Sequence, residues 1–555
     1  MAVVLKIRTR EVGAAGHSRG REGSHLRPRY TKKTPPCKNA CPSNNDIRGF
    51  LTLIAQSESY GRTFDESWEQ AYRLLTETNP LPSVIGRVCP HFCETDCNRK
   101  VKDEAVSINQ VERFIGDYGI NNNLAHEKLT DEVRSEKVAI VGSGPAGLSC
   151  AFQLARRGYP VTIFEAFDKS GGMLRYGIPS YRLPEDILDA EVKKISDLGV
   201  DIKYGTRIGT DISIDDVKKD YAAVYMAIGA HDGWNLGIPG EAGPGVLNAV
   251  EYLNRVNAGE TVDVGEKVLV IGGGNSAVDA ARVAWRTGST PQIVYRRTRD
   301  EMPAEPEEID DTEGEGIHIE FLAAPVEVVR NGDKVTGLKC IKMELGEPDA
   351  SGRRRPVPID GSEFVMEADT IIPAIGQGPN FGGLEKFEDN GWITVNELGE
   401  TTEPGTYAGG DVTNKLGTVT EAIGLGRKTA EAIDAYIKGE ELPKVYPGPV
   451  VKSSDMAMNY YEALPRVEKS HISVDARKGN FDEVVSTFSN ESVVEESKRC
   501  LSCGMCFDCG NCYSFCSYNA VGKLPKGEHY EFKLETCVGC KKCAEECPCN
   551  YIDMI

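Results

Sequence analysis

Two cysteine runs near the end of the chain leave that end little freedom in what it can become. Cys506-x2-Cys509-x2-Cys512-x3-Cys516 recurs as Cys537-x2-Cys540-x2-Cys543-x3-Cys547, with Pro548 after the second run and Ser517 where the first would carry its proline. Turn-forming CxxC spacing lets three thiolates converge on one iron–sulfur cube, and in two-cube arrangements the fourth cysteine of each run ligates the other cube. Cys506, Cys509, Cys512 and Cys547 are therefore expected to hold one [4Fe-4S] cluster, and Cys537, Cys540, Cys543 and Cys516 a second. Zinc is the alternative ligand chemistry.

The other cysteines are as unevenly placed. Of 18, five lie between Cys37 and Cys97, eleven in the last 56 residues, and only Cys150 and Cys340 in between. A disulfide scaffold suits short secreted chains, whereas clustered thiols in a 555-residue acidic chain point to metal. Cys500, Cys503 and Cys549 are left over: they shift the frame, bind a further metal, or stay unliganded. With 64 basic and 84 acidic residues the net charge is −20, which argues against non-specific binding to nucleic acid or anionic membrane. No uncharged apolar run reaches about eighteen residues, and no signal-peptide pattern opens the chain, so a cytoplasmic protein is expected.

From Lys137 the pattern becomes apolar strands followed by glycine turns. Val138–Val141 runs into Gly142-Ser143-Gly144-Pro145-Ala146-Gly147, a GxGxxG, and then a helix through Leu148 and Leu154. Glycines let the backbone turn sharply and approach a pyrophosphate, which the helix N-terminus then faces with free N–H groups. The next strand, Val161–Phe164, ends in Glu165, placed to accept from ribose hydroxyls. The strand Tyr225–Ile228 ends in a small-residue turn at Gly229, and Thr406–Ala408 leads to Gly409, Gly410 and Asp411. These segments resemble the flavoproteins with two dinucleotide-binding domains, and the resemblance implies FAD at this first site, with Asp411 on its ribityl chain. Asp369–Gln377 looks like the return crossing, so the FAD domain is split by a second one.

That second domain opens at Val268–Ile271 and Gly272-Gly273-Gly274-Asn275-Ser276-Ala277, a GxGxxA. Its next strand, Gln292–Tyr295, ends in Arg296-Arg297 rather than an acid, which suits a 2′-phosphate and so NADP(H) over the alternative NAD(H). Glu305–Glu315 reads as an exposed acidic loop. No CxxC lies in this middle region, so thiol–disulfide chemistry at the flavin is not expected and Cys150 and Cys340 read as core residues.

Apolar residues at helical spacing (Ile47, Phe50, Leu51, Ile54) mark a small helical domain around the first cysteines. Cys37-x3-Cys41-Pro42 is followed by Cys89-Pro90-x2-Cys93-x3-Cys97. With Asn79–Pro90 and Ile108–Phe114, this segment resembles the N-terminal domain of the glutamate synthase small subunit and its relatives. The resemblance implies a cluster near the flavin held by Cys41, Cys89, Cys93 and, on the following helix, Glu112. The family's other N-terminal cluster needs two cysteines ahead of Cys37, where this chain has Arg29–Lys33, so Cys37 and Cys97 stay unassigned. The run Arg499–Gly504 looks like that of the iron–sulfur flavoprotein partnering dissimilatory sulfite reductase.

The expected architecture is multidomain α/β. A basic arm (1–36) precedes a helical iron–sulfur domain (37–130), the FAD domain (131–250 and 366–440) and the NAD(P) domain inserted into it (251–365). A linker (441–495) then leads to an α+β bacterial-type 2[4Fe-4S] ferredoxin domain (496–555). The expected function is an NAD(P)H:acceptor oxidoreductase subunit, the flavin converting two-electron into one-electron transfer toward or from a redox partner protein. Hydride transfer requires no general acid, so no acid–base residue is assigned. The alternative is an electron-relay or scaffold subunit with an idle nucleotide site.

Overall fold

The computed structural model describes residues 23–413, 417–443 and 447–555. The chain divides into two compact units: one takes in the residues up to Glu127, Glu441–Lys469 and Thr487–Ile555, the other Lys128–Glu440 and Ser470–Ser486.

The larger unit is built on two parallel sheets. In the first, Val138–Val141 lies between Ala223–Met226 and Val161–Phe164, with Thr406–Ala408 and Asp201–Lys203 outermost. Its central strands are apolar throughout because helices cover both faces of a parallel sheet. Pro145–Arg156, with proline in its first turn where no N–H is needed, packs on Val419–Lys438. Thr418 and Glu421 cap the longer helix reciprocally, and Gly439 at φ +68° ends it. Gly426 lets the two helices touch, since a Cβ there would meet Ala146 O at 2.4 Å.

The second sheet has Thr370–Pro373, Lys267–Ile271, Thr290–Tyr295 and His318–Phe321 in that order, all parallel. An antiparallel layer formed by Ala323–Asn331, Lys334–Pro348, Arg354–Pro358 and Phe364–Glu367 follows. Pairing of Thr370–Pro373 with Lys267–Ile271 keeps residues 370–373 in this sheet. The return to the first sheet comes at Gln377–Gly378, antiparallel to Asp232–Gly233, not at 366. Likewise Ala249 belongs to the core of the second sheet, so the outward crossing precedes 250.

The acidic stretch expected as an exposed loop is the helix Pro306–Gly314. Its carboxylates face buried cations: Glu315 pairs with Arg282, Arg286 and Arg477, and Glu308 and Asp311 with Arg282. Burial alone would raise the Glu315 carboxyl, but hydrogen bonds and charge from Arg282 and Arg286 bring it down to about 2.

In the smaller unit, helices Ile47–Ala55, Phe64–Thr76, Pro82–Val88 and Ile108–Asn121 surround a core of Phe50, Ile54, Trp68, Leu75 and Val111. Gly86 and Gly116 bring two of these helices into backbone contact: a Cβ on Gly86 would lie 2.3 Å from Arg113 Cα, and one on Gly116 2.2 Å from Ser83 N. The helix Asn490–Lys498 adds Val493 and Val494 to this core, so the expected linker ends before 490 rather than at 495. Residues 470–486 belong to the larger unit, where Val484 N donates to Tyr181 O at 3.0 Å.

Of the C-terminal cysteines, Cys512 and Cys543 sit on two short helices, Asn511–Ser514 and Lys542–Glu545, and the others flank them, beside the hairpin Val521–Lys523 and Tyr530–Phe532. The expected arm falls partly outside the described residues (1–22). Pro28–Tyr30 is not an arm: it pairs antiparallel with Ile552–Met554, and the Tyr30 ring stacks on Tyr551 at 5.0 Å. Among the described residues no helix is long and apolar enough to cross a membrane.

Candidate functional site

The first nucleotide cradle lies at the C-terminal edge of three adjacent strands. Gly142 (φ +101°) follows Val138–Val141, Gly229 (φ +68°) follows Ala223–Met226 and Gly410 (φ +75°) follows Thr406–Ala408. A Cβ on Gly142 would lie 2.4 Å from Ala227 O and one on Gly147 2.0 Å from Gly142 O, so both positions exclude any larger residue. A Cβ on Gly144 would meet nothing within 4 Å, which leaves an open notch at the first turn of the helix begun by Pro145. Gly410 approaches Ala146 to within 3.0 Å of a built Cβ, bringing Asp411 to the same helix start. Burial raises the Asp411 carboxyl, partly offset by the Gly417 N–H that donates to it at 3.1 Å.

Glu165 is buried at the end of its strand. It accepts from Ser143 N at 2.8 Å, from Ser143 Oγ at 2.5 Å and from Phe167 N at 2.9 Å, so it also braces the glycine loop. Three residues not anticipated from the sequence complete this edge. Gly171 and Gly172, at φ +125° and +54°, form a second glycine turn, and a Cβ on Gly172 would sit 2.9 Å from Gly144 Cα. The doublet itself was the available signal. His231, beside Gly229, is held toward its neutral form by burial, and its Nδ1 is buried without a partner among the described residues; nothing in the sequence marks it out.

The second cradle repeats the design. Gly272 has φ +152°, and a Cβ there would lie 2.3 Å from Ala374 O; one on Gly273 would strike the Tyr295 ring at 2.4 Å. Gly274 has open space apart from Pro303 at 3.9 Å, while Asn275, exposed Ser276 and buried Ala277 begin the helix Asn275–Arg286. Asn275 Oδ1 accepts from Glu305 N at 3.0 Å, which ties the cradle to the segment before the acidic helix. The two arginines after Tyr295 part company. Arg296 is exposed at the strand end. Arg297 is buried, and its Nη2 meets Asp349 Oδ2 at 2.6 Å while Nε donates to Arg354 O at 2.8 Å. Arg297 is thus committed to the antiparallel layer, a correction to its expected place on the nucleotide.

Cys41, Cys89, Cys93 and Glu112 converge in the smaller unit. Cys41 and Cys89 each follow a short helix, at the ends of Pro36–Ala40 and Pro82–Val88, and Cys93 lies in Phe92–Thr95. The Cys93 thiol is pushed up by burial and by the nearby Glu94, Cys89, Glu112 and Cys41. Burial lifts Cys41 to about 11 against backbone N–H groups of Asn45, Ser43 and Asn44 that donate to its sulfur. Glu112 Oε1 accepts from Asn79 Nδ2 at 2.9 Å and Asn45 Nδ2 at 3.1 Å, and burial raises its carboxyl to about 7. Cys93 and Glu112 are buried and Cys41 and Cys89 half-buried; thiolates and a carboxylate gathered in this way are stabilised by a cation, which is the chemistry of a cluster site.

The C-terminal thiols are gathered in two groups. Burial, with the neighbouring Cys547 a smaller cause, raises Cys506 and Cys509 to about 12, and burial with Cys509, Cys506 and Cys547 raises Cys512, whereas a hydrogen bond with Cys549 holds Cys547 itself low, at about 7. Cys516, Cys537, Cys540 and Cys543 line one pocket with Pro28, Val521 and Met554, an apolar wall suited to a desolvated cube. Cys150 and Cys340 are fully buried in their helix and strand, as core residues.

Comparison with known proteins matches each part. Residues 136–426 match the pyridine nucleotide-disulphide oxidoreductase model, 29–124 that of dihydropyrimidine dehydrogenase domain II with its 4Fe-4S cluster, and 505–551 a 4Fe-4S dicluster domain. The NADPH-Fe(3+) oxidoreductase subunit beta of Geobacter sulfurreducens is 39% identical over 515 residues, 85% of this chain and 75% of the relative. The NADP(+)-dependent formate dehydrogenase subunit beta of Moorella thermoacetica is 37% identical, with 85% and 70% covered. The glutamate synthase [NADPH] small chain of Escherichia coli is 34% identical, with 73% and 89% covered.

Proposed function

The chain belongs to the pyridine nucleotide-disulphide oxidoreductase family, and from that premise we propose that it is the electron-transfer subunit of a larger redox complex, exchanging electrons between NADPH, FAD, [4Fe-4S] clusters and a partner protein. One observation carries the reading: two parallel sheets each end in a glycine cradle, and both crossings between them run through one antiparallel pair, Asp232–Gly233 with Gln377–Gly378. Bound FAD supplies an N5 that takes hydride from the nicotinamide C4 and passes electrons on singly.

The chain's own residues bind and orient. The Gly142–Gly147 turn and the N–H groups at the start of Pro145–Arg156 hold a pyrophosphate, with Glu165 toward the ribose and Asp411 toward the ribityl hydroxyls. Gly272–Ala277 hold the second dinucleotide, and Arg296 pairs with its 2′-phosphate. The thiols of Cys41, Cys89 and Cys93 with Glu112, and the two crossed C-terminal sets, hold three cubes. Pro28, Val521 and Met554 form an apolar wall that excludes water from the set of Cys516, Cys537, Cys540 and Cys543.

A partner subunit fits the names of the relatives, which are subunits or chains of complexes. The sulfite reductase implied by Arg499–Gly504 is one candidate and a formate dehydrogenase or iron-reducing subunit another; anaerobic co-purification distinguishes them. An idle second nucleotide site is the competing reading, and the open space at Gly274, where a Cβ would meet only Pro303 at 3.9 Å, speaks against it. Anaerobic mixing with NADPH tests the proposal. Bleaching of the flavin visible band is expected, and an unchanged band with both NADPH and NADH overturns it.

A further inference from the structure

Four cysteines that sequence spacing leaves unassigned meet in the smaller unit. Cys37 lies in the helix Pro36–Ala40, Cys97 caps the turn Asn98–Val101, and Cys500 and Cys503 follow the helix Asn490–Lys498. The segments around them are joined directly. Arg99 Nη1 donates to Arg499 O at 2.6 Å, Arg48 Nη1 to Ser502 Oγ at 3.1 Å, and Asn98 Nδ2 approaches Cys503 Sγ at 3.6 Å. Cys37, Cys97 and Cys500 border the same apolar core. We propose that Cys37, Cys97, Cys500 and Cys503 together ligate a fourth [4Fe-4S] cluster, assembled from the two ends of the chain and additional to the three proposed above.

Three features of the quartet point to a cube rather than to spare core thiols. First, the thiols share one buried environment. Burial, followed by Cys500, Cys503 and Cys97, pushes Cys37 up, and Cys500 and Cys97 do the same to Cys503. Second, each sulfur faces N–H donors, the pattern that stabilises cluster thiolates. Ser502 N lies 3.4 Å from Cys500 Sγ, Asn98 Nδ2 serves Cys503, Lys38 N–H serves Cys37, and the N–H groups of Val106 and Arg99 serve Cys97. Third, the spacing is too open for one small ion. Zinc at about 2.3 Å from each sulfur would draw the sulfurs to within about 3.8 Å of one another. Among the described residues no three thiol sulfurs lie within 4.8 Å of each other, and all these cysteines are free of disulfides.

The charges around the quartet match a cube that carries net negative charge with its four thiolates. Arg48 and Arg99 lower the Cys500 thiol and Arg499 lowers Cys97, each after the larger effect of burial. The position also suits a bridge. Cys37 precedes Cys41 by one helical turn, Cys97 follows Cys93 by one turn, and Cys503-x2-Cys506 leads into the first C-terminal set. The fourth cube therefore lies between the proposed N-terminal cluster and the C-terminal pair.

The test is iron and acid-labile sulfide per chain in the full protein isolated without oxygen, with low-temperature electron paramagnetic resonance of the dithionite-reduced form. The wild type is expected to hold about sixteen iron atoms, four for each of four cubes, and about twelve overturns the inference while leaving three clusters in place. Cys37→Ala, Cys97→Ala and Cys500→Ala/Cys503→Ala are each expected to lose the same four or so irons, with no further loss when combined, and to keep flavin content and circular dichroism. Wild-type iron in these variants, or losses that add on combination, also overturns it. Absence of both iron and flavin from the wild type instead defeats the broader reading.

Discussion

The separate fates of Arg296 and Arg297 give a paired prediction. Arg296 is exposed at the end of Thr290–Tyr295, where a 2′-phosphate would lie, whereas Arg297 is buried against Asp349. A hydrogen bond to a charged group contributes about 1.5–3 kcal/mol, and each 1.4 kcal/mol or so is tenfold. Arg296→Ala is therefore expected to lower kcat/KM for NADPH by roughly ten- to a hundredfold while leaving NADH nearly unchanged. Arg297→Ala has the opposite profile. It removes the 2.6 Å contact to Asp349 and the 2.8 Å bond to Arg354 O. Asp349 keeps about a quarter of its side chain exposed, so water compensates part of the loss. A cost of about 1–3 kcal/mol in stability follows, with the NADPH/NADH ratio intact. Steady-state reduction of an artificial acceptor with each coenzyme, beside thermal unfolding, reads both effects. An unchanged ratio in Arg296→Ala, or a collapsed ratio with unchanged unfolding in Arg297→Ala, refutes the assignment.

Glu315→Gln takes the carboxylate from buried Arg286 and one of the carboxylates from Arg282 and Arg477, which keep Asp311, and is expected to cost about 3–5 kcal/mol, seen as a lower unfolding midpoint. Because the Glu315 carboxyl is depressed to about 2, its stabilisation is full above its ordinary range near 4.5 and lost as pH falls toward 2. The midpoint gap between wild type and variant should therefore be constant at neutral pH and close under acid; a gap that stays open contradicts the pairing. Gly144→Ala places a methyl where no protein atom lies within 4 Å, so it should fold normally yet lose flavin, while Gly147→Ala, 2.0 Å from Gly142 O, should lose both flavin and stability. Flavin retained in Gly144→Ala removes the cradle argument. Glu112→Ala is expected to lose about four irons and Glu112→Gln to keep them, measured as iron per chain; equal iron in both denies Glu112 a ligand role.

Both glycine cradles were legible because their function depends on local backbone: Gly142 and Gly272 need positive φ, and nothing larger than glycine fits against Ala227 O or Ala374 O. The CxxC triplets near the end of the chain stand out for the same reason, since that spacing acts within a single turn. What the sequence hid depends on partners far along the chain. Glu305–Glu315 looks solvated until Arg282, Arg286 and Arg477 are placed beside it. Two adjacent arginines look alike until Asp349 claims one of them. Pro28–Tyr30 has too few residues to announce a strand, and it becomes one by pairing with Ile552–Met554. Arg499–Gly504, read as the mark of a particular partner, is internally occupied. Arg499 is buried on Glu496 and Asp103, and Cys500 and Cys503 face Cys37 and Cys97.

The proposed function requires that electrons pass between the thiol-bound clusters and the nicotinamide. Protein fully reduced by dithionite and freed of it, then mixed anaerobically with NADP⁺, tests this directly through the NADPH formed per flavin. A two-electron flavin alone yields about one NADPH, so a connected path predicts more than one, as clusters refill the flavin. A yield that stops at one, or at none, contradicts the account.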